Sequence, residues 1–171
     1  MSVKRILFVC TGNSCRSVMA EHLTRHILAQ HGLGETVVES AGVFAVEGMQ
    51  ATRETQRVLQ EVGLDAAMHH ARSLTPEMIR QADLIFVMEA FQAEEILRRM
   101  PEARAKLHLL KPFGLGPGEL TGHPSIPDPI GKPLEVYEVC FKEIQQAVGR
   151  IVNALKAGTL PGHSGSKESG R

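Results

Sequence analysis

The apolar run Ile6-Leu7-Phe8-Val9-Cys10 leads directly into the polar turn Thr11-Gly12-Asn13-Ser14-Cys15-Arg16-Ser17. A continuous apolar run this short fits a strand buried on both faces, and such strands belong to parallel sheets covered by helices. Behind the turn, a helical stretch from about Ser17 to His31 carries Met19, Leu23 and Ile27 four residues apart, and Gly32 and Gly34 end it. Strand, tight turn and helix in that order make half of a βαβ unit.

The same alternation continues along the chain. A second short strand is expected near Val37 and Val38. Thr52 is placed to cap a helix whose stripe is Val58, Leu59 and Val62, with Gly63 as its stop. Thr75-Pro76-Glu77 is a helix start, with proline at the first helical position and an acid in the first turn. Leu84 to Met88 is the clearest strand, Ala90 to Met100 the helix after it, and Leu107 to Leu110 the fourth strand. A proline-rich loop over 111–133 precedes a last helix, Leu134 to Leu155, striped by Tyr137, Cys140, Phe141, Ile144, Val148 and Ile151. A loop that long in a compact domain is functional or disordered. Four strands alternating with helices imply parallel βαβ units, whose ligands sit beyond the carboxyl ends of the strands. The turn after Cys10 is such an end.

At about 150 residues per domain, 171 residues make one domain, expected over 1–157, with a Gly/Ser/Lys-rich tail at 158–171 expected to be disordered. Lys plus Arg and Asp plus Glu both number 19, so the formal net charge is zero. That balance argues against non-specific nucleic-acid binding and against a polybasic membrane surface. No apolar run approaches the roughly 20 residues of a membrane span, and none suits a secretory signal. Three cysteines, Cys10, Cys15 and Cys140, are too few and too odd for a disulfide framework, which implies a reducing compartment. The expectation is a soluble, cytoplasmic protein.

Each part of the turn has a physical use. Gly12 and Asn13 tolerate positive φ best, so successive backbone N–H groups can turn inward as an anion nest. The following helix N-terminus adds unpaired N–H groups and positive potential, and Arg16 offers a bidentate fork to phosphate oxygens. The same field favours the thiolate of Cys10, the nucleophilic form, and Ser17 can donate a hydrogen bond to it. A nucleophile and a phosphate cradle in one turn suggest phosphoryl transfer through a cysteinyl-phosphate. A bare Cys-x5-Arg also arises by chance, and the bland alternative is a structural turn with a buried cysteine. It is not a Walker loop, because Gly-Lys-Ser/Thr is absent. Asp128, held between Pro127 and Pro129, is a candidate proton donor to the leaving group; it is equally an ordinary turn aspartate.

These residues resemble the low-molecular-weight protein-tyrosine-phosphatase family, including its bacterial arginine-phosphatase branch and its thioredoxin-linked arsenate reductases. The resemblance covers residues 4 to about 155 and rests mainly on Val9 to Ser17 together with Asp128-Pro129. Ser40-Ala41-Gly42, His69-His70-Ala71-Arg72 and Ala82 to Met88 add weaker marks. It implies an α/β three-layer sandwich with a four-stranded parallel sheet, order 2-1-3-4, and a phosphate loop closing the first strand. It implies Cys10 as nucleophile, Arg16 as binder of phosphate and transition state, and Asp128 as acid, then as base for water. Thr11, Gly12, Ser14 and Cys15 would complete the phosphate loop. Asn13, with Ser40 and His69, would hold it in shape, and Ser17 would stabilise the thiolate. His69 read without the resemblance is a surface histidine. Cys15 is implied as partner in a reversible disulfide with Cys10, against a plain small apolar residue; Cys140 is a core position. No cofactor or metal is implied, the partners are phosphorylated proteins, and the expected state is a monomer or weak dimer.

Substrate is addressed by two departures. Tyrosine-specific members resemble one another in a bulky aliphatic residue at the position of Ser14 and aromatic residues after Asp-Pro; here Ile130 and Gly131 follow. Phe44 is the one aromatic wall to hand, with Ser14 and Ile130 as the other pocket residues. Ser14 and Ser40-Ala41-Gly42-Val43-Phe44 resemble the arginine-phosphatase branch, which favours phosphoarginine over phosphotyrosine. An arsenate reductase would need two further cysteines after the third strand, and Met88 to Met100 has none. A phosphate-binding module without catalysis is the third reading.

Overall fold

The computed structural model describes residues 3–160. Four parallel strands form one sheet: β1 (Arg5–Cys10), β2 (Val37–Gly42), β3 (Leu84–Val87) and β4 (Leu107–Leu109), in the order β2-β1-β3-β4. The helices are α1 (Arg16–Gln30), α2 (Arg53–Gln60), α3 (Pro76–Gln81), α4 (Ala90–Arg99) and α5 (Leu134–Ala157).

Side chains alternate across β1 and so feed two cores. Ile6, Phe8 and Cys10 join Leu84 and Phe86 against α1, α2 and α5, whose contributions include Met19, Leu59, Phe141 and Ile144. Leu7, Val9, Ile85 and Val87 face the other way, onto Ile79 of α3 and Ile96 of α4. Helices on both faces make the expected three layers, and they explain why β1 and β3 are apolar without alternation. The expected caps form as well. Thr52 accepts a hydrogen bond from the Thr55 N–H, and Thr75 from the Met78 N–H. Helix α1 closes at Gly32, φ +71, with the Leu33 N–H returning to the Leu28 carbonyl.

Three features differ from expectation. Strand β2 runs on past Val38 to Gly42, because Glu39 to Gly42 pair with Leu7 to Cys10 although their own strand propensity is poor. A 3₁₀ helix spans Pro101–Lys106, where no apolar period marks a helix. The chain also stays packed to Leu160, which is buried in the α5 core just after the left-handed cap at Gly158. The rest of the expected tail, 161–171, lies outside the described residues. The 111–133 segment is anchored: the Ile126 N–H bonds the Met88 carbonyl at 2.9 Å, Arg150 holds the Phe113 and Lys111 carbonyls, and Ile126 and Pro129 are buried.

Candidate active site

The carboxyl end of β1 enters the turn at Cys10, which pairs in register with Gly42 of β2. The close passage of these two backbones shapes the turn. A Cβ on Gly42 would lie 2.5 Å from the Thr11 carbonyl oxygen and 3.0 Å from the Asn13 nitrogen, so only glycine fits. The Val43 and Phe44 N–H groups then bond the Cys10 and Thr11 carbonyls at 3.0 and 2.9 Å, and the Thr52 N–H bonds the Ser14 carbonyl at 3.1 Å. With its carbonyls held from outside, the turn has its N–H groups left for an anion.

Asn13 sits at the apex with φ +54, the single non-glycine residue in that region among those described. Its fully buried side chain is hydrogen-bonded at both ends. Its Oδ1 accepts from the Arg72 N–H at 2.9 Å, and its Nδ2 donates to Ser17 Oγ at 2.8 Å and Ser40 Oγ at 2.9 Å. Ser17 Oγ lies 2.9 Å from Cys10 Sγ, where it donates to the sulfur once Cys10 is a thiolate, and Ser40 gives its proton to the buried Glu21 carboxylate. His69 Nε2 lies 2.9 Å from the Asn13 carbonyl, and only the N–H tautomer can bond there. Burial of the His69 ring pushes its pKa down, which keeps that tautomer neutral.

Arg16 opens α1 and is 1% exposed. Its Nη1 donates to Glu89 Oε2 at 2.6 Å and to the Ile126 carbonyl at 2.8 Å, while Nη2 lies 3.3 Å from Asp128 Oδ2. Burial alone would lower its pKa, but Cys10, Glu89 and Asp128 together carry it above the ordinary arginine value. Its Nε is buried and without a hydrogen-bond partner. Arg16 is also one of the residues that line a cavity of about 190 Å³, with Cys10, Thr11, Gly12, Ser14, Cys15, Asp128 and Ile130. Asp128, about a third exposed, is oriented by its own turn, Oδ1 accepting from the Ile130 N–H at 3.1 Å. The cysteine, the buried arginine, the loop residues and the aspartate therefore line one small cavity.

A family model described as low molecular weight phosphotyrosine protein phosphatase matches residues 5–159. The chain belongs to this family of protein phosphatases. A protein-arginine-phosphatase of Geobacillus stearothermophilus is 40% identical over 152 residues, covering 89% of this chain and 96% of the relative. A probable low molecular weight protein-tyrosine-phosphatase, EpsP, of Ralstonia nicotianae is 36% identical over 155 residues, 91% and 98% of the two chains. Among solved structures, a cysteine-to-serine mutant of the YwlE arginine phosphatase with a phosphorylated active-site serine superposes with a TM-score of 0.81 at 32% identity, covering 89% and 95%.

Some sequence candidates of the phosphatase sit apart from the cavity. Phe44 is tied to the loop by its backbone, but its ring is 62% exposed and is not among the lining residues; Ile130, 55% exposed, is. His70 reaches only the Gly48 carbonyl. Cys15 Sγ turns toward hydroxyls, 3.5 Å from Tyr137 Oη and 3.6 Å from both Ser14 Oγ and Thr52 Oγ1. Cys140 is buried in the α5 core, and burial pushes its thiol up to about 12. Among the described residues there is no cluster suited to a metal ion, and no helix is long and apolar enough to cross a membrane.

Sequence reasoning missed Glu89, Glu21, Arg72, Gly42 and Gln92. Glu89 had a signal: it ends the third strand run, at the same carboxyl edge of the sheet as Cys10. Gly42 and Arg72 stand in the sequence only as marks of the resemblance, without a role; Glu21 and Gln92 meet the turn through a neighbour or across 81 residues, and no local pattern marks them.

Proposed function

We propose that this phosphatase dephosphorylates proteins through a cysteinyl-phosphate, with phosphoarginine as its preferred substrate and the cytoplasm as its workplace. The observation that carries the reading is that Cys10, Arg16 and Asp128 line one cavity, with Arg16 Nε buried and unpartnered. The phosphoryl dianion is received by the loop N–H groups and Arg16. The Cys10 thiolate attacks phosphorus, the bond from phosphorus to the leaving nitrogen or oxygen breaks, and Asp128 delivers its proton to the leaving atom. The Asp128 carboxylate then takes a proton from water. That water attacks the phosphoenzyme, the P–S bond breaks, and phosphate leaves with the thiolate restored. The phosphorylated serine in the cysteine-to-serine mutant of YwlE is the same kind of covalent species on a related protein.

The substrate preference rests on the cavity wall. Ser14 is small and 7% exposed, and no lining residue is aromatic. A phosphotyrosine ring would therefore lack the stacking worth about 0.5–1.5 kcal/mol per aromatic pair. Asp128, one of the lining residues, is an acidic partner suited to a guanidinium. Phosphate release from p-nitrophenyl phosphate that disappears in Cys10→Ser tests the chemistry. Matched phosphoarginine and phosphotyrosine peptides test the preference through kcat/KM. A tenfold or greater advantage for phosphotyrosine overturns it.

A further inference from the structure

Gln92 lies in the first turn of α4, is fully buried, and belongs to neither the sequence candidates nor the ion pairs around Arg16. Its amide orientation follows from its partners. Oε1 accepts from two backbone donors, the Met88 N–H at 2.8 Å and the Glu89 N–H at 3.0 Å, which only the oxygen can do. The Nε2 end must therefore point the other way, where it meets Thr11 Oγ1 at 3.2 Å. Thr11 Oγ1 receives a second donor, Arg16 Nη2, at 3.4 Å.

A hydroxyl oxygen that accepts two hydrogen bonds has both lone pairs engaged and one proton left to give. Neither Gln92 Nε2 nor Arg16 Nη2 can accept it. Thr11 is half-buried and lines the phosphate cavity beside Cys10, Gly12 and Ser14. We propose that Gln92 is a positioning residue that turns the Thr11 hydroxyl proton into the cavity, adding a side-chain donor for a non-bridging phosphoryl oxygen to the loop N–H groups and Arg16. The role rests on the phosphate-site reading above and extends it to a residue 81 positions away on another helix. A donor aligned before the dianion arrives costs no reorganisation when charge develops.

The test uses the full chain and inorganic phosphate as the probe, with binding followed by calorimetry, and kcat/KM on p-nitrophenyl phosphate beside it. Thr11→Val, which keeps the shape and removes the proton, is expected to weaken phosphate binding and kcat/KM about tenfold or more. Thr11→Ser is expected to recover most of both. Gln92→Glu keeps an acceptor for Met88 and Glu89 but gives Thr11 a carboxylate to donate to, turning its proton away. It is expected to cost about tenfold in the wild-type background and under threefold in the Thr11→Val background. A general penalty from the added charge would be the same in both. Should Gln92→Glu not fold, Gln92→Met replaces it in the cycle with the same expectation. Unchanged phosphate affinity in Thr11→Val overturns the proposal, as does a Gln92 effect of equal size in both backgrounds. If wild-type protein binds phosphate with this pattern but releases none from p-nitrophenyl phosphate, the catalytic reading fails while the role of Gln92 stands.

Discussion

The phosphate turn and the 111–133 segment meet at Arg16, yet they are built in opposite ways. In the turn, Asn13, Ser14, Cys15, Arg16 and Ser17 are all buried, and the apex asparagine is hydrogen-bonded from four residues besides itself. The segment carrying Asp128 reaches the site from solvent. Its carboxyl is oriented by one N–H two residues on and by one contact to Arg16 at 3.3 Å. A phosphoryl group has one shape whatever carries it, so its receptor can be fixed in advance. Leaving groups differ, and a partly exposed acid on a proline-stiffened arm tolerates that variation. If this division is right, damage in the turn should reduce all substrates alike, and damage at Asp128 should sort them.

The largest effect is expected for Arg16→Lys. Lysine keeps the charge but cannot engage Glu89, the Ile126 carbonyl and phosphate at once, so kcat/KM should fall about 10³-fold on every substrate. Asp128→Asn should cost about 10²-fold in kcat when the leaving group is basic, at the lower end of what general acid catalysis supplies. The loss should be clearly smaller with p-nitrophenyl phosphate, whose leaving group needs less help. Equal losses across leaving groups would break the comparison. Asn13→Ala should lower kcat about tenfold or more with no substrate dependence. It leaves the half-buried Arg72 N–H without its partner, at about 1 kcal/mol, which a melting curve would read as roughly 2–4 °C per kcal/mol for a chain of this size.

The smallest effect concerns pH. Burial lowers the pKa of both His69 and His108, so the folded chain takes up their protons later than the unfolded chain does. Their contribution to stability is intact above the unfolded value of about 6.5 and is lost as pH falls from there through the lowered folded values. Melting temperature should drop by about 1–3 °C between roughly pH 7.5 and 5.5, and His69→Gln should flatten part of that slope.

What the sequence made visible follows the range of the interactions. Cys10 to Ser17 is legible because its chemistry is packed into one turn between an apolar run and a helix. The buried strands β1 and β3 and the caps at Thr52 and Thr75 are legible for the same local reason. Strand β2 is half hidden, since Ser40 to Gly42 are held by pairing with β1 and not by their own preference. The 3₁₀ helix at Pro101 leaves no apolar stripe to read. Glu89 and Gln92 reach the turn only because β3 lies beside β1 in the sheet. Their partners are 73 and 81 residues away; the end of a strand run points to Glu89's edge of the sheet, and nothing local marks Gln92.

The contact between Arg16 and Asp128 has a consequence for the resting protein. A guanidinium that is 1% exposed would be costly as a lone buried cation. Glu89 and Asp128 answer it from two sides, at 2.6 and 3.3 Å. In the proposed mechanism a phosphoryl dianion takes over the Asp128 side of that pairing, and the proton Asp128 carries as the acid keeps it from being a second anion against the same arginine. In the proposed mechanism, proton transfer at Asp128 thus also sets which anion the buried arginine holds, the carboxylate between turnovers and phosphate within them.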